Sequence, residues 1–171
     1  KVFEFIKELE EIIKLDNPIG NIISKWERPN GLEIRKISIP LGVIGIIYES
    51  RPNVTVDASA IAIKAGNAVI LRGGKDSFHS AKKLKEIIEL SFKSANLPND
   101  TVQMIDSTER SEVDKMLKLD SYIDVIIPRG GKSLINNIKE KTSIPVIKHL
   151  DGICHVFIDK NADIEKAKKI I

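Results

Sequence analysis

A chain of 171 residues can bury one sizeable core and is too short for two roomy domains. Its 42% apolar and 30% charged residues exclude a disordered polymer. The net charge of +3, from 27 Lys and Arg against 24 Asp and Glu that are largely interleaved, falls short of the clustered excess a nucleic-acid surface needs.

Val2, Phe3, Ile6, Leu9, Ile12 and Ile13 recur at three- and four-residue spacing, which predicts an amphipathic helix stopped by Pro18 and Gly20. "LEIRKISIPLGVIGIIYES" is rich in β-formers, and Val43 to Tyr48 is an unbroken apolar run suited to a strand buried on both faces. "VTVDASAIAIKAG" predicts a helix ending at Gly66, "AVILR" a strand, Asp76 to Ala95 a long helix, and "TVQMID" a short strand. Ser107 is the predicted N-cap of the helix in "STERSEVDKMLKL", with Arg110 where a capping box has Glu. "YIDVIIP" predicts a strand, "KSLINNIKEKT" a helix, "IPVIKHL" and "CHVFID" two further strands. The last helix is capped by Asp159, Asn161 or Asp163. Strands alternate with helices and carry continuous Val/Ile runs. The expected fold is therefore α/β, a Rossmann-like, mainly parallel sheet with helices on both faces.

One tetrapeptide occurs twice, Arg72-Gly73-Gly74-Lys75 and Arg129-Gly130-Gly131-Lys132, each time between a predicted strand and a predicted helix. Such junctions lie at the carboxyl edge of a parallel sheet, where ligands bind. Paired glycines admit a phosphate to backbone N–H groups, a helix N-terminus favours negative charge, and Arg and Lys add charge-assisted donors. Two such loops suit a ligand with separated phosphates, such as NADP, although either alone reads equally well as an ordinary turn. Two familiar phosphate motifs fail. Gly42 and Gly45 precede or lie inside their strand, and Ile126 stands where a Walker A loop needs glycine.

The single cysteine, Cys154, forbids an intrachain disulfide and suits a reducing, cytoplasmic compartment. No secretory leader, no apolar run of the ~20 residues that cross a bilayer and no metal-ligand cluster is legible. The chain starts without Met and stops inside a helical pattern, which predicts a piece of a longer protein.

The stretches "YESRPNVTVDASAIAIKAGNAVILRGGKDSFHSA", "DVIIPRGGKSLI" and "IPVIKHLDGICHVFIDKNADIEKA" together resemble the gamma-glutamyl phosphate reductases, a family of the aldehyde dehydrogenase superfamily. The resemblance covers Leu41 to the last residue. It implies that residues 1–171 form an NADP-binding domain of an NADPH-dependent reductase. The reaction would convert L-glutamyl 5-phosphate to L-glutamate 5-semialdehyde and phosphate, in proline biosynthesis. It also implies Arg72, Gly73, Gly74 and Lys75 at the adenosine ribose, with Lys75 drawing a 2′-phosphate. Gly130, Gly131 and Ser133 would face the pyrophosphate, and Arg129 would either join them or make a structural ion pair. Ser50, Arg51 and Asn53 would meet the acyl phosphate, Arg51 lying nearest the superfamily's oxyanion-stabilising position. His149 stands where hydrolytic members keep a general-base glutamate, and His155 is read as structural. The nucleophilic cysteine lies farther downstream in the family than this chain extends, so Cys154 is read as a small core residue and the piece alone is expected to be inactive.

The full-length protein is expected to be a homo-oligomer, with glutamate 5-kinase as a candidate partner or fused half. The rival reading is a non-catalytic nucleotide- or RNA-binding α/β module. The lack of an aromatic cluster for base stacking argues against RNA.

Overall fold

The computed structural model describes residues 2–148 and 155–170. Helix α1 (Val2–Lys14) leads into an antiparallel hairpin of β1 (Ile22–Glu27) and β2 (Glu33–Ile37). Then follow β3 (Val43–Tyr48), α2 (Asn53–Lys64), β4 (Ala68–Arg72), α3 (Phe78–Ser94), β5 (Val102–Met104), α4 (Arg110–Met116), β6 (Val125–Arg129), α5 (Lys132–Lys141) and α6 (Ile164–Ile170). A single 3₁₀ turn, Lys75–Ser77, introduces α3.

The sheet of four parallel strands has the order β5-β4-β3-β6, so the expected parallel α/β fold is the one observed. β3 lies between β4 and β6, pairing Ile44 with Val69 on one side and with Val125 on the other. Its apolar run is the consequence: a strand flanked on both edges and covered on both faces meets no water. Ile44, Ile46 and Tyr48 join Val69, Leu71, Val102, Ala62 and Phe92 in a core beneath α2 and α3. Ile47 and Ile126 join Met116, Leu117, Ile123, Ile138 and Ile144 in a second core beneath α4 and α5. Helices therefore cover both faces.

Gly45 marks how tightly the second layer closes. A Cβ there would sit 2.5 Å from Ile126 Cδ1 and 2.6 Å from Met116 Cε. At the start of β3, Asp124 Oδ2 accepts the Val43 N–H at 2.7 Å, which ties the turn before β6 to its neighbour.

Four expectations are corrected. The β1–β2 hairpin is an antiparallel sheet of its own, turned at Arg28 to Leu32 with Gly31 at φ 79, and β1 went unread in the sequence. Helix α4 begins at Arg110 with Glu109 as N-cap; Ser107 Oγ instead accepts the Glu109 N–H at 3.1 Å, a local turn bond that competes with capping. "IPVIKHL" contributes one bridge, Val146 to Ile126, and no strand among the described residues. Residues 155–159 of "CHVFID" form no strand either: among the described residues no strand or bridge pairs with them, and Phe157 is 88% exposed. The terminal cap is resolved in favour of Asp163, whose Oδ1 accepts the N–H groups of Glu165 and Lys166. His149 and Cys154 lie outside the described residues.

No helix among the described residues is long and apolar enough to cross a membrane.

Candidate dinucleotide site

All four strands of the sheet run the same way, so the loops after β3, β4, β5 and β6 emerge at one edge. Chain reversal occurs here: β3 is followed by β4 and β5 on one side, and the chain returns to place β6 on the other. Such a reversal opens a crevice beyond the strand ends, the place where open α/β sheets take ligands. The crevice is present as a cleft of about 1020 Å³, bounded by α4, α5 and the loops after β3 and β4.

Both Arg-Gly-Gly-Lys loops reach this edge. Gly74 is the N-cap of the 3₁₀ turn and Gly131 the N-cap of α5, and neither terminus carries a side-chain cap. Such helix-turn starts, with no N-cap side chain over them, are where an anion finds backbone N–H donors. The four glycines are not equivalent. A Cβ on Gly74 would come 3.2 Å from the Ser50 backbone nitrogen, so this loop passes against the loop after β3 at backbone distance. Gly73 is buried instead, and a Cβ there would meet the Tyr48 ring at 3.1 Å. Gly130 lies under Glu49, whose Cδ would be 2.7 Å from an added Cβ, whereas Gly131 faces open space.

Of the residues expected from the sequence, Ser50, Arg51, Arg72, Gly74, Lys75 and Ser133 line the cleft. Gly73, Arg129, Gly130 and Gly131 lie in the same two loops without lining it. Asn53 belongs to α2, where its Nδ2 donates to Asp57 Oδ2 at 3.3 Å. Arg72 is more structural than expected: its Nη2 donates to the carbonyl oxygens of Thr108 at 3.0 Å and Glu109 at 3.4 Å, and so holds the loop after β5. Burial, then the charge of nearby Arg110, lowers the Arg72 pKa from its ordinary value. Arg51, Lys75 and Arg110, by contrast, carry exposed cationic ends with no hydrogen bond or ion pair among the described residues. Arg129 contributes its backbone, accepting the Glu49 N–H at 3.1 Å.

The sequence reading missed Glu49, Asp76, Thr108, Arg110, Asn137 and Lys141, which also line the cleft. Glu49 and Asp76 adjoin residues it did single out. In the sequence Arg110 stands out only as the residue that breaks a capping box, and its distance from the glycine motifs hides its place. Lys141 is neutralised by Asp114 at 2.8 Å.

Asp76 Oδ2 accepts the Ser50 hydroxyl at 3.0 Å, and Gly131 N–H donates to Glu49 Oε2 at 3.3 Å. The short loop after β3 is thus bound to both glycine loops. Chemically, the edge presents two helix-turn starts without an N-cap side chain, one of them met by the Glu49 carboxylate, three free cations around them, and a hydroxyl between: a receptor for an anion with more than one charged group.

Residues 3–171 match the model of the aldehyde dehydrogenase family. The chain is 51% identical over its whole length to the gamma-glutamyl phosphate reductase of Paramagnetospirillum magneticum, of which it spans 40%. Among solved structures it is similar to the gamma-glutamyl phosphate reductase of Thermotoga maritima, with a TM-score of 0.87 and 42% identity, covering 97% of this chain and 40% of that one. It is similar also to the Saccharomyces cerevisiae gamma-glutamyl phosphate reductase, with a TM-score of 0.79 and 36% identity over 99% of this chain and 43% of that one.

Proposed function

The chain belongs to the aldehyde dehydrogenase family, and we propose that it is the NADPH-binding part of a gamma-glutamyl phosphate reductase. The reaction is reduction of L-glutamyl 5-phosphate to L-glutamate 5-semialdehyde with release of phosphate. Proteins of this family use nicotinamide cofactors. The observation that carries the reading is the meeting of both Arg-Gly-Gly-Lys loops at one edge of the parallel sheet, beside a cleft with three free cations. The family likeness supports the substrate, since relatives 51% and 42% identical bear that reductase name.

The residues fit the cofactor. Uncapped amides after Gly74 and Gly131 suit the pyrophosphate, and Lys75 with Arg110 suits the 2′-phosphate that separates NADPH from NADH. Arg51 and Ser50 lie between the two loops, where a guanidinium fork would receive the acyl phosphate and favour its departure as phosphate. When bound, NADPH would supply the hydride to the thioacyl group left once phosphate has departed; the chain's own groups would hold the cofactor's charged ends and the departing phosphate. We assign the thioacyl step to a cysteine outside this chain, which spans 40% of its relatives' length, so the chain alone binds cofactor without turning over.

Titration of the chain with NADPH, NADH and a short single-stranded RNA at moderate salt tests the reading. NADPH is expected to bind in the micromolar range and at least about tenfold more tightly than NADH, a gap of about 1.4 kcal/mol. Equal affinities would refute the 2′-phosphate assignment, and binding of RNA alone would refute the dinucleotide site.

A further inference from the structure

Glu49 is an acid placed where the proposed site needs a phosphate. It follows the last residue of β3 and lies between the two glycine loops. Its backbone is fixed on both sides: its N–H donates to the Arg129 carbonyl at 3.1 Å, and its own carbonyl accepts the Arg51 N–H at 2.6 Å. From this anchored position the side chain crosses the face of Gly130, and Oε2 receives the Gly131 N–H at 3.3 Å. Gly131 is the N-cap of α5, a helix of 10 residues whose positive end favours an anion. The bare glycine face makes the approach possible, because any side chain at residue 130 would collide with the carboxylate.

We propose that Glu49 is an internal competitor for the phosphate-binding amide of the loop after β6, a placeholder that keeps the dinucleotide exchangeable. The proposal rests on the dinucleotide reading above. A polar N–H left without an acceptor is costly, so the ligand-free loop benefits from the carboxylate. An incoming phosphate must exchange one anionic acceptor for another, and gains less than it would at an empty amide. The displaced carboxylate stays nearby, held by the fixed backbone of β3, and repels the phosphate across a short distance. Both effects weaken binding and hasten release without touching the reacting atoms. The remaining anionic groups of the cleft do not duplicate this role: Asp76 accepts the Ser50 hydroxyl and Asp114 pairs with Lys141.

The test uses the ¹⁵N-labelled chain, with the Gly131 amide identified by its loss in Gly131→Ala, and compares wild type with Glu49→Gln and Glu49→Ala. Inorganic pyrophosphate and NADPH are the probes. Both variants are expected to show half-maximal displacement of the Gly131 signal at about tenfold lower concentration of either probe, as an exchange of roughly 1.4 kcal/mol requires. Equal concentrations in wild type and variants would overturn the competitor role while leaving the cofactor reading intact. So would weaker binding in both variants, or their failure to fold, since either result makes Glu49 a builder of the loop. A shift at Lys75 with NADPH but none at Gly131 would likewise overturn it. No response to NADPH anywhere in any of the three proteins would remove the dinucleotide reading, and this inference with it.

Discussion

The hydroxyl of Ser50 donates to Asp76 Oδ2 at 3.0 Å and so joins two loops that leave neighbouring parallel strands, 26 residues apart in sequence. This bond holds the loop carrying Arg51 against the loop carrying Lys75. Ser50→Ala, Asp76→Ala and the double variant are expected to show a coupling of about 0.5 kcal/mol in chemical denaturation, the low end for one hydrogen bond because both side chains are exposed. Strict additivity of the single losses would show that the loops are positioned independently.

Lys75 faces the cleft with no acidic partner among the described residues. Replacing it by Glu puts a carboxylate where a 2′-phosphate is expected, reversing an attraction. The NADPH-to-NADH affinity ratio of Lys75→Glu should fall about tenfold or more, measured by nicotinamide fluorescence, with NADH affinity little changed. An unchanged ratio would place the 2′-phosphate elsewhere.

The glycines of the two loops separate steric from conformational demands. At Gly74 an added Cβ meets backbone atoms of Glu49 and Ser50 at 3.2–3.3 Å, and backbone cannot rotate away. At Gly131 the Cβ enters open space at φ −68, which any residue adopts. Gly74→Ala should cost about 1–3 kcal/mol of stability and loosen the cleft. Gly131→Ala should be neutral, or more stable by up to about 1 kcal/mol through a stiffer unfolded chain. Thermal unfolding of the pair checks this, and equal losses would contradict the packing described.

The Tyr48 hydroxyl shares a buried hydrogen bond of 2.7 Å with Thr55 Oγ1 beneath Gly73. Tyr48→Phe leaves Thr55 without that partner and should cost about 1–3 kcal/mol near neutral pH. Burial raises the Tyr48 pKa above the ordinary tyrosine value, and the Thr55 bond offsets this in part. With the folded value the higher one, the unfolded chain loses its phenolic proton first. Stability from this group is thus complete below the ordinary tyrosine value and is lost as pH climbs through the folded one. The gap between wild type and Tyr48→Phe should therefore narrow in alkaline solution, as followed by denaturant midpoints. A gap that widens would reverse the assignment.

Much of the fold is legible because its causes are local. Strands buried on both faces must be apolar throughout, and Val43 to Tyr48 and Ala68 to Leu71 show it directly. Helix α2 ends where Gly66 takes φ 71. The β1–β2 hairpin has a local cause too, since Pro29-Asn30-Gly31 is turn chemistry between two β-rich runs, but both strands are largely exposed and carry no continuous apolar run to mark them. Among the described residues after Ser143 only the Val146–Ile126 bridge forms, for the opposite reason: a strand exists only when a neighbouring backbone satisfies it along its length, and β propensity carries no information about that neighbour.

By itself, then, the sequence determined the alternation of buried strands and helices, and the two glycine loops that follow strands, because side-chain spacing and backbone freedom act over a few residues. Tertiary structure alone decided the strand order β5-β4-β3-β6, and with it every long-range contact of the site. Arg72 reaches the Thr108 carbonyl 36 residues away, and Glu49 reaches the Gly131 amide 82 residues away. Those partners are set by which crossover packs on which face of the sheet, a cooperative outcome of two cores closing together, and no stretch of chain encodes it locally.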